Sequence, residues 1–133
     1  MELKDSMKDC LDDAPGTIYA DWEQDGYRCL IMRGPCSICG YIGMKEGHPA
    51  FGKDYNDIDV RCHGGLTFAH DDKTGGDRWP SGWWWFGWDY AHYGDVPFYD
   101  LRDGRVYYDD QEWSPKDVCA EFPEIIEEFN KVQ

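Results

Sequence analysis

Positive charge is what this chain has least of. Thirteen Lys and Arg face twenty-seven Asp and Glu over 133 residues, for a net charge of −14. A direct nucleic-acid binder needs a basic footprint to neutralise phosphates, so none is expected here. Long apolar runs are missing as well: no stretch reaches the roughly 18 consecutive apolar residues that mark a membrane-spanning helix. The opening "MELKDSMKDC" has no apolar h-region, which predicts no signal peptide and a cytoplasmic protein. In that compartment the six cysteines (Cys10, Cys29, Cys36, Cys39, Cys62, Cys119) read as free thiols rather than disulfides. The chain has no H-E-x-x-H, no P-loop, no G-x-S-x-G and no Rossmann glycine pattern. "CSIC" (36–39) is a lone C-x-x-C. Cys62-His63 would complete four zinc ligands, but the second spaced pair is lacking, and a chain this long needs no metal to build its core. Neither a metal nor a cofactor is expected.

Aromatic rings are what the chain has in quantity, at 17% of residues. They bury large areas, and one folded domain over 1–133 is the expected organisation. The acidity belongs to the ends. Residues 1–25 hold eight acids and two lysines and residues 95–133 eleven acids and four bases, whereas 26–94, with all four histidines, is nearly neutral. Such ends are either a solvated exterior or a surface for a basic partner.

Leu3, Met7 and Leu11 share one helical face, which predicts a short helix over 2–12, stopped before Pro15-Gly16. Strands are predicted over 17–23, 27–33, 38–44, 57–62, 64–70 and 83–89, with a hairpin turn at Gly34-Pro35 and loops over 45–56 and 71–82. The last element starts at a capping pattern of Ser114, Pro115 and Asp117. Its apolar stripe is Val118, Phe122, Ile125, Ile126 and Phe129, with Glu121, Glu124, Glu127 and Glu128 largely off it, and Pro123 predicts a break. The fold class expected is α+β, a mainly antiparallel sheet with N- and C-terminal helices packed on it.

"DRWPSGWWWFGWDYAHYGDV" (77–96) concentrates five of the seven tryptophans beside Asp89, His92 and Asp95. On the strand 83–89 one face carries Trp83, Trp85, Gly87 and Asp89, and the other Trp84, Phe86 and Trp88. Rings on both faces mean either a sheet covered on both sides or rings lining a cavity, where tryptophan stacks on planar ligands or contacts cations. Gly87 leaves a gap for a ligand or another backbone to approach. A carboxylate orients an imidazole and fixes its tautomer, so Asp89 and His92 form either a functional dyad or a structural pair, and Asp95 either joins them or caps a turn. His63 precedes Gly64-Gly65, where backbone N–H groups suit an anion or simply make a tight turn. His70 ends the same segment, while His48 lies in a loop with Lys53 as a counter-charge for phosphate.

Three stretches, "CGYIGMKEGHPAFGKDYNDIDV", "HGGLTF" and "WWWFGWDYAHYGD", resemble a set of small proteins encoded by bacteriophages and prophages, over roughly residues 27–96. Their pattern runs C-G-Y-x-G, G-H-P-x-x-G-x-D-Y, H-G-G-L-T-[YF] and W-W-F-G-x-D-x-A-H-x-G-D. The resemblance implies Cys39, His48, Asp54, His63, Trp84, Trp85, Asp89, His92 and Asp95 as positions on the pattern. Cys36 and Cys62 fall outside it. It implies a role in the host cytoplasm, such as countering host defence, and brings no assigned activity. Three functions are therefore expected in competition. The first is binding of a nucleotide-like small ligand, such as a sequestered defence signal, by Trp84, Trp85 and Trp88 for stacking, with His48, Lys53, Asp54, His63, Asp89, His92 and Asp95 as further contacts. The second is a hydrolase or transferase with His92 as base, oriented by Asp89, and His63 as acid or anion holder. The third is an acidic protein–protein inhibitor of a basic host defence factor.

Overall fold

Asp25 and Gly26 adopt positive φ (53° and 84°), the backbone of a two-residue hairpin turn, and so join β1 (Ile18–Gln24) to β2 (Tyr27–Arg33). β2 pairs antiparallel with β3 (Ile38–Met44). The computed structural model, which describes residues 2–71 and 79–133, continues this into one antiparallel five-stranded sheet. With β4 (Phe68–His70) and β5 (Trp84–Asp89) the strand order is β1-β2-β3-β5-β4. Two helices, α1 (Phe98–Arg102) and α2 (Pro115–Asn130), make the fold α+β. Among the described residues no helix is long and apolar enough to cross a membrane.

The tryptophan strand is covered on both sides. On one face Phe86 and Trp88 join Ile42, Met44 and the stripe of α2 in the main core, with Trp88 5.2 Å from Phe122 and Phe86 5.3 Å from Phe129. On the other, Trp85 packs with Leu30, Met32, Trp79 and Trp83 in a second cluster, with Tyr41 and Phe68 against it. Glycines opposite the rings make this possible. Gly40 pairs with Trp88, Gly43 with Trp85 and Gly87 with Tyr41 across β3 and β5. A Cβ on Gly40 would overlap the Trp88 indole, one on Gly43 would lie 3.0 Å from Trp85, and one on Gly87 2.6 Å from Tyr41. The gap at Gly87 is thus filled by Tyr41 rather than left for a ligand.

Four expectations are corrected. The N-terminal segment forms a single 3-10 turn, Met7–Cys10, instead of a helix over 2–12. Arg33 takes the carbonyls of Cys10 and Leu11, Arg102 also takes that of Leu11, and Pro15 has no N–H to offer. The stretch 57–62 is no strand: after a 3-10 turn at Tyr55–Asp57, Arg61 N–H donates to Glu128 on α2 at 2.9 Å instead of to a ladder. The strand over 64–70 is shortened to Phe68–His70, since Gly64 and Gly65 both take positive φ. α2 runs unbroken through Pro123. That residue is exposed, so the carbonyl it frees lies on the solvent side, while the buried stripe holds the helix down. The capping box holds as expected: Ser114 Oγ accepts from Asp117 N at 3.2 Å and Asp117 accepts from Ser114 N at 3.0 Å. Within the expected loop 71–82, residues 72–78 lie outside the described residues, whereas Trp79 is buried.

The glycine–ring pairs predict an order of damage. Gly40→Ala should destabilise by about 2–4 kcal/mol through forced overpacking, and Gly43→Ala by about 1–2 kcal/mol, where the ring needs to shift only slightly. Urea denaturation of both variants checks the order.

Candidate functional site

β5 ends at Asp89, and the chain turns back through Gly94, whose φ is 91°. Asp89 Oδ1 accepts from Ala91 N at 3.1 Å, and Asp95 N–H donates to His92 O at 2.9 Å. Against this turn sits the His63-Gly64-Gly65 turn. His63 Nε2 donates to Asp95 Oδ2 at 2.7 Å, His92 N–H donates to the same oxygen at 2.9 Å, and Trp113 Nε1 donates to Oδ1 at 2.9 Å. Asp95 is a buried carboxylate with both oxygens occupied. The His63 ring stacks on Tyr90 at 4.6 Å and lies 4.7 Å from Trp113 and 5.8 Å from His92. Gly64 permits this approach, because a Cβ there would overlap the His92 ring. Tyr90 accepts from Trp88 Nε1 and donates to Glu121 at 2.6 Å. Burial first, and then the bond to Glu121, push its hydroxyl well above the ordinary range, so it stays a donor.

Residues 63, 89, 92 and 95 thus come together, as His63–Asp95 and His92–Asp89. The second pair is looser: His92 Nε2 is 3.1 Å from Asp89 Oδ1 without hydrogen-bond alignment, and among the described residues that buried nitrogen has no hydrogen-bond partner. The two imidazoles also line different depressions. His63 borders a cavity of about 250 Å³ with Arg61, Cys62, Glu121 and Glu124. Burial pushes the Cys62 thiol up to about 12, which leaves it no nucleophile at neutral pH. His92 and Asp95 instead border an open cleft of about 610 Å³. Its other walls include Tyr93, Tyr99, Tyr107, Asp100, Asp109 and Asp110, and among the described residues no Lys or Arg lines it. Tyr93 is fully exposed, and Tyr99 and Tyr107 are 59% and 67% exposed. The nearby arginines turn elsewhere, Arg102 to Leu11 O and Arg105 to Asp103.

The remaining expected contacts lie apart from this cluster. Trp85 and Trp88 are core residues with 0% and 1% exposure and no free ring face, so stacking of a ligand on them is replaced by stacking of the protein on itself. Among the described residues Trp85 Nε1 has no acceptor. Trp84 is half-buried, with its Nε1 donating to the carbonyl of Lys53 at 2.9 Å. Asp54 accepts from Asn56 at 3.1 Å, within its own loop. His48 is built into the scaffold: Nδ1 accepts from Ala50 N at 3.0 Å, and Nε2 donates to Tyr27 Oη at 2.8 Å, which donates on to Asn130 at 2.7 Å. Residues the sequence reading missed are Tyr90, Trp113 and the cleft walls from Tyr93 to Asp110. Their signal was present in "YGDVPFYDLRDGRVYYDD", where tyrosine and aspartate recur together beyond what a solvated end requires.

Among the described residues no group of three or more His, Cys, Asp or Glu is placed to hold a metal ion. No family model, no curated protein and no solved structure matches the chain.

Two tests separate scaffold from surface. Asp95→Asn should cost about 2–4 kcal/mol, since it weakens charge-assisted bonds at a buried site, whereas Asp89→Asn should cost under about 1 kcal/mol. Burial holds His48 below its ordinary 6.5. The folded state therefore favours the neutral ring, and its contribution is complete above pH 6.5 and lost as the pH falls through the lower folded value. Stability should drop on acidification through this window, and His48→Gln should flatten that slope in denaturation curves.

Proposed function

We propose that this protein is a binding module whose acidic, tyrosine-walled cleft engages a basic protein surface. One observation carries the reading: Asp100, Asp109 and Asp110 and three exposed tyrosines wall a single cleft that, among the described residues, contains no Lys or Arg. Tyrosine supplies rigid contact area at low entropic cost and is enriched at interfaces. The net charge of −14 speeds encounter with a cationic partner and repels anionic ones. In the phage setting that the sequence resemblance implies, the partner is a basic host defence factor met in the host cytoplasm, and the protein acts by occupying it.

The two competing readings draw less support. A hydrolase with His92 as base needs Asp89 to orient the ring, and the 3.1 Å contact between them lacks hydrogen-bond alignment. A nucleotide stacked between tryptophans needs free ring faces, which Trp85 and Trp88 do not offer. The acids of α2 are a poorer docking face than the cleft, because Glu121 and Glu128 already hold Tyr90 and Arg61.

Titration calorimetry with an arginine- and lysine-rich peptide tests the proposal. Binding should weaken steeply with salt and fall tenfold or more, about 1.4 kcal/mol, when Asp100, Asp109 and Asp110 are changed together to Asn. Tyr107→Ala should cost about 1–2 kcal/mol. Glu124→Gln with Glu127→Gln should leave the affinity unchanged. Binding lost in that helix variant and kept in the cleft variant would overturn the reading.

A further inference from the structure

The loop that follows β3 is pinned by one histidine. Among residues 45–53 only Ala50 is buried, and Gly47 and Gly52, with φ of 106° and 82°, flank the exposed part as natural hinges. His48 Nδ1 accepts from Ala50 N at 3.0 Å, which ties the ring to its own loop. Its Nε2 donates at 2.8 Å to Tyr27 on β2, and Tyr27 donates at 2.7 Å to Asn130 at the end of α2. This pattern requires the neutral ring with its proton on Nε2. A second proton has only Nδ1 to go to. There it would face the Ala50 N–H, donor against donor.

We propose that His48 is an acid-operated latch, whose protonation frees residues 47–52 while the sheet and α2 stay folded. The asymmetry of its two nitrogens carries this: the charged ring keeps its bond to Tyr27 and gives up the one to Ala50. Little else holds the segment. Ala50 buries a single methyl group, Phe51 is exposed, and the bonds Phe51 N to His48 O and Lys53 N to Ala50 O lie within the loop itself. Beyond it, the bond from Trp84 Nε1 to Lys53 O limits the opening. Few charges surround the ring. Asp25 of the β1–β2 turn and Lys45 and Glu46 of the loop line the cavity of about 460 Å³ beside it, with Tyr27, Asn130 and Val132. The Lys45 ammonium lies over the Trp83 ring at 4.9 Å, and Lys131 of α2 turns to Glu128. Burial holds His48 below its ordinary 6.5, against a weaker upward pull from the Phe129 carbonyl. Opening gives Nδ1 to water, so the open loop takes a proton more readily than the closed one. The latch lies apart from the tyrosine-walled cleft, and either can fail without the other.

The test is amide hydrogen exchange of the whole protein, followed by NMR from about pH 7.5 to 4.5 and corrected for intrinsic exchange rates. Protection of the Ala50 amide should fall by up to about tenfold per pH unit below 6.5, levelling off only below the lower value of the folded ring. Low concentrations of urea should speed exchange of the amides in β2, β3 and β5 and leave Ala50 unaffected, because a local opening exposes little surface. Asparagine accepts from the same N–H in an Asx turn and does not titrate, so His48→Asn should keep Ala50 protected throughout. Tyr27→Phe removes only the Nε2 partner and should keep the acid response, which decides the case if the first variant fails to fold. Ala50 protection that ignores pH, or that follows the core amides in urea, would overturn the proposal. So would an acid response that survives in His48→Asn or disappears in Tyr27→Phe.

Discussion

The structure depends on three cross-strand pairs between β3 and β5, in which a glycine faces a ring: Gly40 with Trp88, Gly43 with Trp85, and Gly87 with Tyr41. Each missing side chain leaves room for an aromatic ring to lie over the opposite strand. Trp88 and Tyr41 therefore sit on opposite faces of the same two strands, one in the main core and one in the second cluster. This is why a chain of 133 residues can spend so many tryptophans within a few positions without exposing them. It also fixes the register, since a slip of one residue would put a ring against a side chain. Among the described residues Trp85 Nε1 has no acceptor, a local cost of that packing.

From this anchored strand the chemistry of the next turn follows. Asp89 is the last residue of β5, so the position of His92 and Asp95 is set by the same pairs. Asp95 then draws in His63 from one loop and Trp113 from another, and the buried carboxylate works as a joint among three segments. Its dyad with His63 has the form of a catalytic pair, yet both of its oxygens are spent on holding the chain together. The surface that this joint steadies is the cleft of Tyr93, Tyr99, Tyr107 and the aspartates.

Much of the framework was legible in the sequence, for identifiable reasons. Apolar runs bounded by Gly and Pro located β1, β2, β3 and β5, and Ser114-Pro115 with Asp117 located the start of α2. The approach of His63 to residues 89–95 was foreshadowed only as a set of candidate residues, because pairing across more than twenty positions leaves no local pattern. The failures share a cause. Segment 2–12 has helical spacing but is held at its end by Arg33 and Arg102, and segment 57–62 alternates like a strand but ties itself to Glu128. In both, contacts with distant side chains set a path that local spacing does not show. Trp85 and Trp88 read as ligand walls because nothing in one strand shows that its partner carries glycines in register.

The tyrosine- and aspartate-walled cleft is the face we propose to meet a partner. The most direct measurement is NMR mapping of the assigned protein during addition of an arginine- and lysine-rich polypeptide. Shifts should concentrate at the rings of Tyr93, Tyr99 and Tyr107 and at the amides of 91–110, with α2 and the His63 cavity unmoved. Shifts centred on the exposed face of α2, or spread evenly over every acidic patch, would contradict it.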